Sequence, residues 1–207
     1  MNTLLKKTYP ENILKPYWRT NIIERDPIYF VQEGDRSPIR GRLLFTPERM
    51  MKAENRTIPG WVPPQGVEDL PNLLVKKPDL IIVAYGMNDI SENKPENFRH
   101  SIKSIIDQIN QTLPNSEVIL VSPMLGNREW HHNPRERFPI FREVIRSFEK
   151  IGVGFADMTS LWEFLDQHKA FHDLIGNGVN HPNDFGHILY AQTILGLLVE
   201  EKKFLSI

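Results

Sequence analysis

The loop Gly86-Met87-Asn88-Asp89, which directly follows an apolar run, carries groups that could stabilise a negatively charged oxygen. A glycine lets the backbone approach a ligand closely, and the amide of Asn88 could donate a hydrogen bond to a developing oxyanion. The carboxylate of Asp89 cannot stabilise an anion, so we expect it to tie down the loop. Taken alone, such a tetrapeptide is more typical of a turn than of a functional site.

A second loop, from Gly176 to Pro182, carries a histidine that could act as a base. His181 lies between Asn180 and Pro182, just before a predicted helix. A neutral imidazole held on a proline-bounded loop suits a general base, although an isolated loop histidine is more often structural. His187 falls inside the predicted helix, where we expect a structural role.

The elements that must position these loops alternate between strand and helix after residue 66. A run such as Leu80–Tyr85, apolar without polar alternation, predicts a strand that is covered on both faces. The predicted order is a helix near Asp69–Lys76, the strand Leu80–Tyr85, a helix capped by Asn93, a strand at Val118–Val121, a helix carrying Phe141 and Phe148, a strand at Val153–Ala156, a short helix capped by Ser160, and a last helix from Asn183.

Repeated strand–helix units predict a parallel sheet with right-handed crossovers. Reactive groups of such sheets lie on the loops that leave the carboxyl ends of the strands. We therefore expect Gly86, Asn88 and His181 to lie at one edge of the sheet.

The two loops together, with Val121-Ser122-Pro123-Met124 after the middle strand, resemble the SGNH (GDSL-type) hydrolase superfamily over about residues 66–200. The resemblance implies a flavodoxin-like three-layer α/β/α fold and hydrolysis of an acyl ester of a small molecule or carbohydrate, without a cofactor. It also implies that Gly86 and Asn88 bind the oxyanion and that His181 is the base.

Two features depart from this family. The family's nucleophile is the serine of a Gly-Asp-Ser loop, and no such string occurs in this sequence. The nearest is Gly34-Asp35-Arg36-Ser37, which favours a hairpin turn, so the nucleophile is unassigned. The family also places an aspartate three residues before the histidine, where this chain has Gly178; Asn177 is a weak candidate to orient His181 instead.

The first part of the chain shows no clear helical period. Residues 1–56 contain two short apolar runs, Ile28–Val31 and Leu43–Phe45, and resemble the β-rich start of an accessory domain. Residues 57–65 form a proline-rich connector, and residues 66–207 form an incomplete hydrolase domain. Our interpretation is an internal deletion near the connector that removed the first two strands and the serine.

Three functional hypotheses remain open on this sequence. The first is a family member that hydrolyses nothing because its nucleophile is missing. The second is an active esterase that uses an unorthodox serine, Ser37. The third is a metal-dependent hydrolase, for which the candidate ligands are His131, His132, His172, Asp173 and His181.

The composition limits the classes of binding partner and the cellular compartment that we expect. The chain has 25 basic and 26 acidic residues and a net charge of −1, so we expect no nucleic-acid partner. It has no cysteine, hence no disulfide or thiolate metal site. We see no signal peptide and no apolar run that could span a bilayer, so we expect a cytoplasmic protein without a membrane partner.

Overall fold

A computed structural model of the chain describes residues 60–198. The strands are β1 Leu80–Ala84, β2 Glu117–Val121 and β3 Val153–Ala156. The helices are α1 Pro63–Leu74, α2 Asp89–Glu92, α3 Pro95–Thr112, α4 Phe138–Arg146, α5 Met158–Leu165 and α6 Asp184–Leu198. Single 3-10 turns lie at Arg135–Arg137 and Phe171–Asp173.

The three strands form a parallel sheet in the order β1-β2-β3. Ile82 of β1 is in register with Ile119 of β2, which is in register with Gly154 of β3. Helix α3 connects the first two strands and α4 the second pair. The predicted α/β fold with a parallel sheet is therefore confirmed.

The core lies between the sheet and its helices. All five residues of β2, the central strand, are buried, so both faces of this strand are covered. Helix α3 packs against α1 and α4. Its buried face is the apolar stripe that its sequence period predicts, namely Phe98, Ile102, Ile105, Ile106 and Ile109.

Strand β1 departs from the expectation that both its faces are covered. Ile81 and Val83 are buried, but Ile82 on the opposite face is 50% exposed and Ala84 is also exposed. Helix α6 packs against β3, two strands away from β1. Among residues 60–198, β1 is thus an edge strand with one open face.

Several helix ends differ from the predicted ones for identifiable reasons. Helix α1 begins at Pro63, inside the segment 57–65 that we expected to be irregular. Proline is well suited to the first turn because the N–H that it lacks has no helical partner there. Helix α5 is capped by Asp157, whose side chain accepts a hydrogen bond from the N–H of Ser160 at 3.0 Å. Asn93 ends α2 in a left-handed conformation and does not cap α3.

The predicted strands at Ile28–Val31 and Leu43–Phe45, the whole of segment 1–56 and Ser37 lie outside the described residues. Over the range 60–198, none of the helices has the length and apolar character needed to cross a membrane.

Candidate active site

The loop after β1 is shaped by Gly86 and by its contact with the loop after β2. Gly86 has φ +124°, a conformation that side-chain-bearing residues rarely adopt, and a Cβ at this position would lie 3.2 Å from the ring of Pro123. Its carbonyl oxygen accepts a hydrogen bond from the N–H of Ile90 at 3.1 Å, which closes the turn into α2. The glycine is therefore required both for the backbone conformation and for the close approach to Pro123.

Asn88 and Asp89 point to different environments at the start of α2. Asn88 is exposed, and its backbone oxygen accepts a hydrogen bond from the Ser91 hydroxyl at 2.9 Å. Asp89 is largely buried, and one of its carboxylate oxygens has no hydrogen-bond partner. Burial is the main cause that raises the pKa of Asp89 to about 7; the nearby charge of Glu92 contributes to the rise, and backbone hydrogen bonds at Asp89 and Gly86 oppose it.

Residues 122–137, which we call the bridging loop, hold the Gly86–Asp89 loop from one side. Asn133 is only 2% exposed, and its side-chain amide donates to the carbonyl oxygen of Met87. The guanidinium of Arg137 donates to the carbonyl oxygens of Ile90 and Ser91 at 3.1 and 3.0 Å. These bonds fix both the loop and the short helix α2 that follows it.

The same bridging loop also holds the histidine loop. The side-chain amide of Asn127 donates to the carbonyl oxygen of Gly178 at 2.8 Å. The backbone N–H of Asn127 donates to the carbonyl oxygen of Val179, also at 2.8 Å. Because the bridging loop is bonded to both, the loops that carry Asn88 and His181 are each anchored to one shared segment.

The histidine loop is closed at its base and ordered from within. The N–H of Gly176 donates to the carbonyl oxygen of His181 at 2.9 Å, and Ile175 pairs with Pro182 in a short antiparallel bridge. Asn177 accepts backbone N–H groups from three residues through its side-chain oxygen. The donors are Val179 at 2.9 Å, Asn180 at 2.9 Å and His181 at 3.0 Å.

The start of α6 packs tightly beneath this loop. A Cβ on Gly186 would lie 2.6 Å from Cβ of Pro182 and 2.8 Å from the carbonyl oxygen of Leu174. The helix begins beside Asn183, as predicted, and the side-chain oxygen of Asn183 caps it by accepting the N–H of Gly186 at 2.9 Å. Partial burial and the proximity of His181 lower the pKa of His187, and Asp184 opposes the shift.

The serine hydroxyls that donate hydrogen bonds in the described part, those of Ser91, Ser116, Ser122 and Ser147, bond to groups other than His181. Ser122, at the end of β2, is 1% exposed and accepts the N–H of Thr159 at 3.0 Å. Between residues 60 and 198, no serine hydroxyl is hydrogen-bonded to His181.

The described part of the chain contains no cluster of metal-binding side chains that would support the metal-dependent alternative. No three histidine or acidic side chains within residues 60–198 lie together in a way that could hold a metal ion. The five candidate ligands lie on three segments: His131 and His132 are exposed on the bridging loop, His172 and Asp173 lie in a 3-10 turn, and His181 lies on the histidine loop.

Sequence reasoning did not single out Asn127, Asn133 or Arg137, which hold the two candidate loops. Asn133 is buried although it lies in a loop. The available indication was their position, since all three follow the carboxyl end of β2.

Comparison with known proteins defines the class. The model of the GDSL-like lipase/acylhydrolase family matches residues 42–189. The chain belongs to the GDSL-like lipase/acylhydrolase family, as its loops indicated. Comparison with curated protein sequences gives no match.

Solved structures share the fold at low sequence identity. An acetylxylan esterase from Geobacillus stearothermophilus superposes with a TM-score of 0.60 at 17% identity, covering 71% of this chain and 72% of that chain. An alpha/beta hydrolase enzyme from the metagenome of Lake Arreo, Spain, gives 0.59 at 21% identity, over 70% and 73%. A lipase/acylhydrolase from Enterococcus faecalis gives 0.56 at 19% identity, over 68% and 71%. The catalytic variants of the Geobacillus esterase replace a serine, an aspartate and a histidine three positions after that aspartate.

Proposed function

We propose that Gly86, Asn88 and His181 belong to an acyl-ester hydrolase site at the carboxyl end of the sheet, and that the chain as it stands does not turn esters over. One observation carries the first half: the bridging loop is hydrogen-bonded both to Met87 and to Gly178. In this site Asn88 would donate its amide to the oxyanion, and His181 would accept the proton of the attacking group.

The proposed lack of turnover rests on the nucleophile. Deprotonating a hydroxyl is useful only when that hydroxyl lies within hydrogen-bond reach of the base. No Gly-Asp-Ser string occurs in the sequence, and Ser122 is occupied by Thr159. The alternative is an active esterase that uses Ser37 as its nucleophile. The hydrolysis experiment below distinguishes the two possibilities.

The chain also lacks a strong candidate for the residue that would orient His181. The position three residues before His181 is Gly178, which has φ +72° and no side chain. The candidate orienter Asn177 uses its side-chain oxygen to accept three backbone N–H groups, which favours a role in shaping the loop. His181 would then carry no anionic partner to stabilise its protonated form.

The proposed substrate is an ester of a small molecule or carbohydrate. The Geobacillus structural neighbour is described as an acetyl-xylooligosaccharide esterase. Acetylated saccharides are accordingly the first compounds to test on this chain.

The domain organisation is part of the same proposal. We propose that residues 1–56 belong to a β-rich accessory segment, that 57–65 join it to the rest, and that 66–207 are an incomplete hydrolase domain from which the serine-bearing strand was deleted. Sequencing the gene and its flanks tests this, because an intact gene without a frameshift or deletion at the connector would contradict it.

Hydrolysis of p-nitrophenyl acetate tests the function. We expect the rate with the wild-type chain to equal that with His181→Ala and to be unchanged by a chelator. A clear loss of turnover on His181→Ala, matched by Ser37→Ala, would establish the unorthodox serine instead. Inhibition by the chelator would establish the metal-dependent alternative.

A further inference from the structure

We propose that a cleft on the bridging loop binds the saccharide part of the substrate through Trp130. The cleft has a volume of about 420 Å³. Its walls are formed by Arg128, Trp130, His131, Pro134, Arg135 and Glu136. The proposal rests on the ester-hydrolase function above and names the alcohol portion of its substrate.

The cleft adjoins the histidine loop. The indole of Trp130 packs against Gly126, where a Cβ would lie 3.1 Å from the six-membered ring and 3.7 Å from the carbonyl oxygen of Val179. The next residue, Asn127, bonds to Gly178 and Val179 just before His181. A ligand seated on Trp130 therefore lies beside the segment that carries the proposed base.

The cleft is built on fixed groups. Arg135 donates to the carbonyl oxygen of Gly126 at 2.9 Å, and its guanidinium lies 5.6 Å from the centre of the Phe171 ring. Arg135 and Arg128 both pair with the buried carboxylate of Asp166, at 2.5 and 2.6 Å. Such a frame holds a binding surface in place before the ligand arrives, which lowers the entropy cost of binding.

The charges of the cleft favour a neutral ligand. The positive charges of Arg128 and Arg135 are matched by the negative charges of Asp166 and Glu136. Burial alone would raise the pKa of Asp166, but hydrogen bonds from Arg135 and Arg128 outweigh it and hold the pKa below its usual value. With no excess positive charge to attract an anion, the remaining features are an aromatic ring and several hydrogen-bonding groups.

That combination suits a sugar ring. The C–H face of a pyranose can stack on an indole, while its hydroxyls exchange hydrogen bonds with polar side chains around the ring. Trp130 is half-buried, and its ring centre lies 6.2 Å from that of His132, so part of the indole remains exposed in the cleft. Arg128, whose side chain is 70% exposed, offers free donor groups at the rim.

Isothermal titration calorimetry of the full chain with xylotetraose tests the proposal. We expect Trp130→Ala to weaken binding roughly tenfold, which corresponds to about 1.4 kcal/mol, because the stacking surface is lost. Trp130→Phe should retain most of the binding because an aromatic ring remains. Phe164→Ala is the matched control. Phe164 is exposed and, like Trp130, lies beside a histidine: its ring centre is 4.6 Å from that of His168. It lies outside the cleft, so its loss should leave binding unchanged.

Xylotetraose carries no ester, so its binding is measured independently of hydrolysis and can succeed where the ester-hydrolase proposal fails. Absence of binding by the wild-type chain would overturn the saccharide proposal, as would equal binding by Trp130→Ala. Tighter binding of a galacturonate oligomer that weakens with added salt would assign the cleft to an anion and also overturn it.

Discussion

The side-chain amide of Asn127 donates a hydrogen bond of 2.8 Å to the backbone carbonyl oxygen of Gly178, across 51 residues of sequence. The bond joins the loop after β2 to the loop that carries His181. Because the same bridging loop holds Met87 through Asn133, the positions of Asn88 and His181 both depend on it.

Replacing Asn127 by alanine should loosen the histidine loop. The change removes the bond to Gly178 and the bond of 2.9 Å that its side-chain oxygen accepts from the N–H of Glu129. We expect a loss of ~1–2 kcal/mol in the free energy of unfolding and faster amide exchange over residues 176–183. Asn72→Ala is the control. Asn72 is exposed, and the side-chain hydrogen bond described for it is a surface bond to Asp69. Equal exchange in the two variants would contradict the bridging role.

Cysteine cross-linking should show that Asn88 and His181 flank one site. The chain contains no cysteine, so a double variant Asn88→Cys with His181→Cys has only the two introduced thiols. A bifunctional reagent that spans about 10 Å, the reach needed to flank one ester group, should join them. Asn115→Cys with His181→Cys is the matched pair, because Asn115 is exposed at the opposite end of the sheet, just before β2. Cross-linking of the control alone would refute the proposed site.

Two glycines of α6 should respond in opposite ways to alanine. At Gly186 the new methyl group would overlap Pro182 and Leu174, so we expect destabilisation by ~2 kcal/mol or more, together with displacement of the histidine loop. At Gly196 nothing lies within 4 Å, so the better helix propensity of alanine should stabilise the chain by ~0.5–1 kcal/mol. Thermal unfolding of both variants measures the difference, and equal effects would contradict the packing described at the start of α6.

The buried carboxyl of Asp89 should make stability fall as the pH rises. Its pKa in the folded chain is raised to about 7, so the folded state retains a proton that the unfolded state releases near pH 4. The contribution is therefore complete below about pH 4 and is lost as the pH rises through about 7. Allowing for partial exposure to solvent, we expect Asp89→Asn to gain ~1–2 kcal/mol relative to wild type between pH 5 and 8. Chemical unfolding at a series of pH values measures this; parallel curves for the two chains would be the contrary result.

The order of elements followed from the sequence because their apolar periods differ. The continuous run Leu80–Tyr85 and the helical stripe from Phe98 to Ile109 each matched one period, and both elements formed where expected. The family was indicated by the resemblance of two short loops, Gly86–Asp89 and Gly176–Pro182, to motifs of a known family, and the family match over residues 42–189 agrees with it.

The contacts that hold the site could not be read in the same way. Asn127 and Asn133 act on residues far away in sequence, and an asparagine in a loop has the same local pattern whether it is solvated or buried. The start of α1 was missed because the prolines around Pro63 indicate irregular structure locally, yet proline is favoured in the first helical turn. The open face of β1 depends on which helices pack opposite it, and no property of Ile82 itself reports that.

Labelling with an alkyl fluorophosphonate tests the central claim, that the chain keeps the oxyanion loop and the histidine but lacks a positioned nucleophile. The reagent forms a covalent bond to the oxygen of an activated serine and expels fluoride, so one adduct per chain reports a working serine–histidine pair. An active GDSL-family esterase treated in parallel shows that the reagent is competent. If no serine is positioned beside His181, the intact mass of this chain stays unchanged. A stoichiometric adduct that maps to Ser37 or another serine, and that disappears in His181→Ala, would contradict this claim.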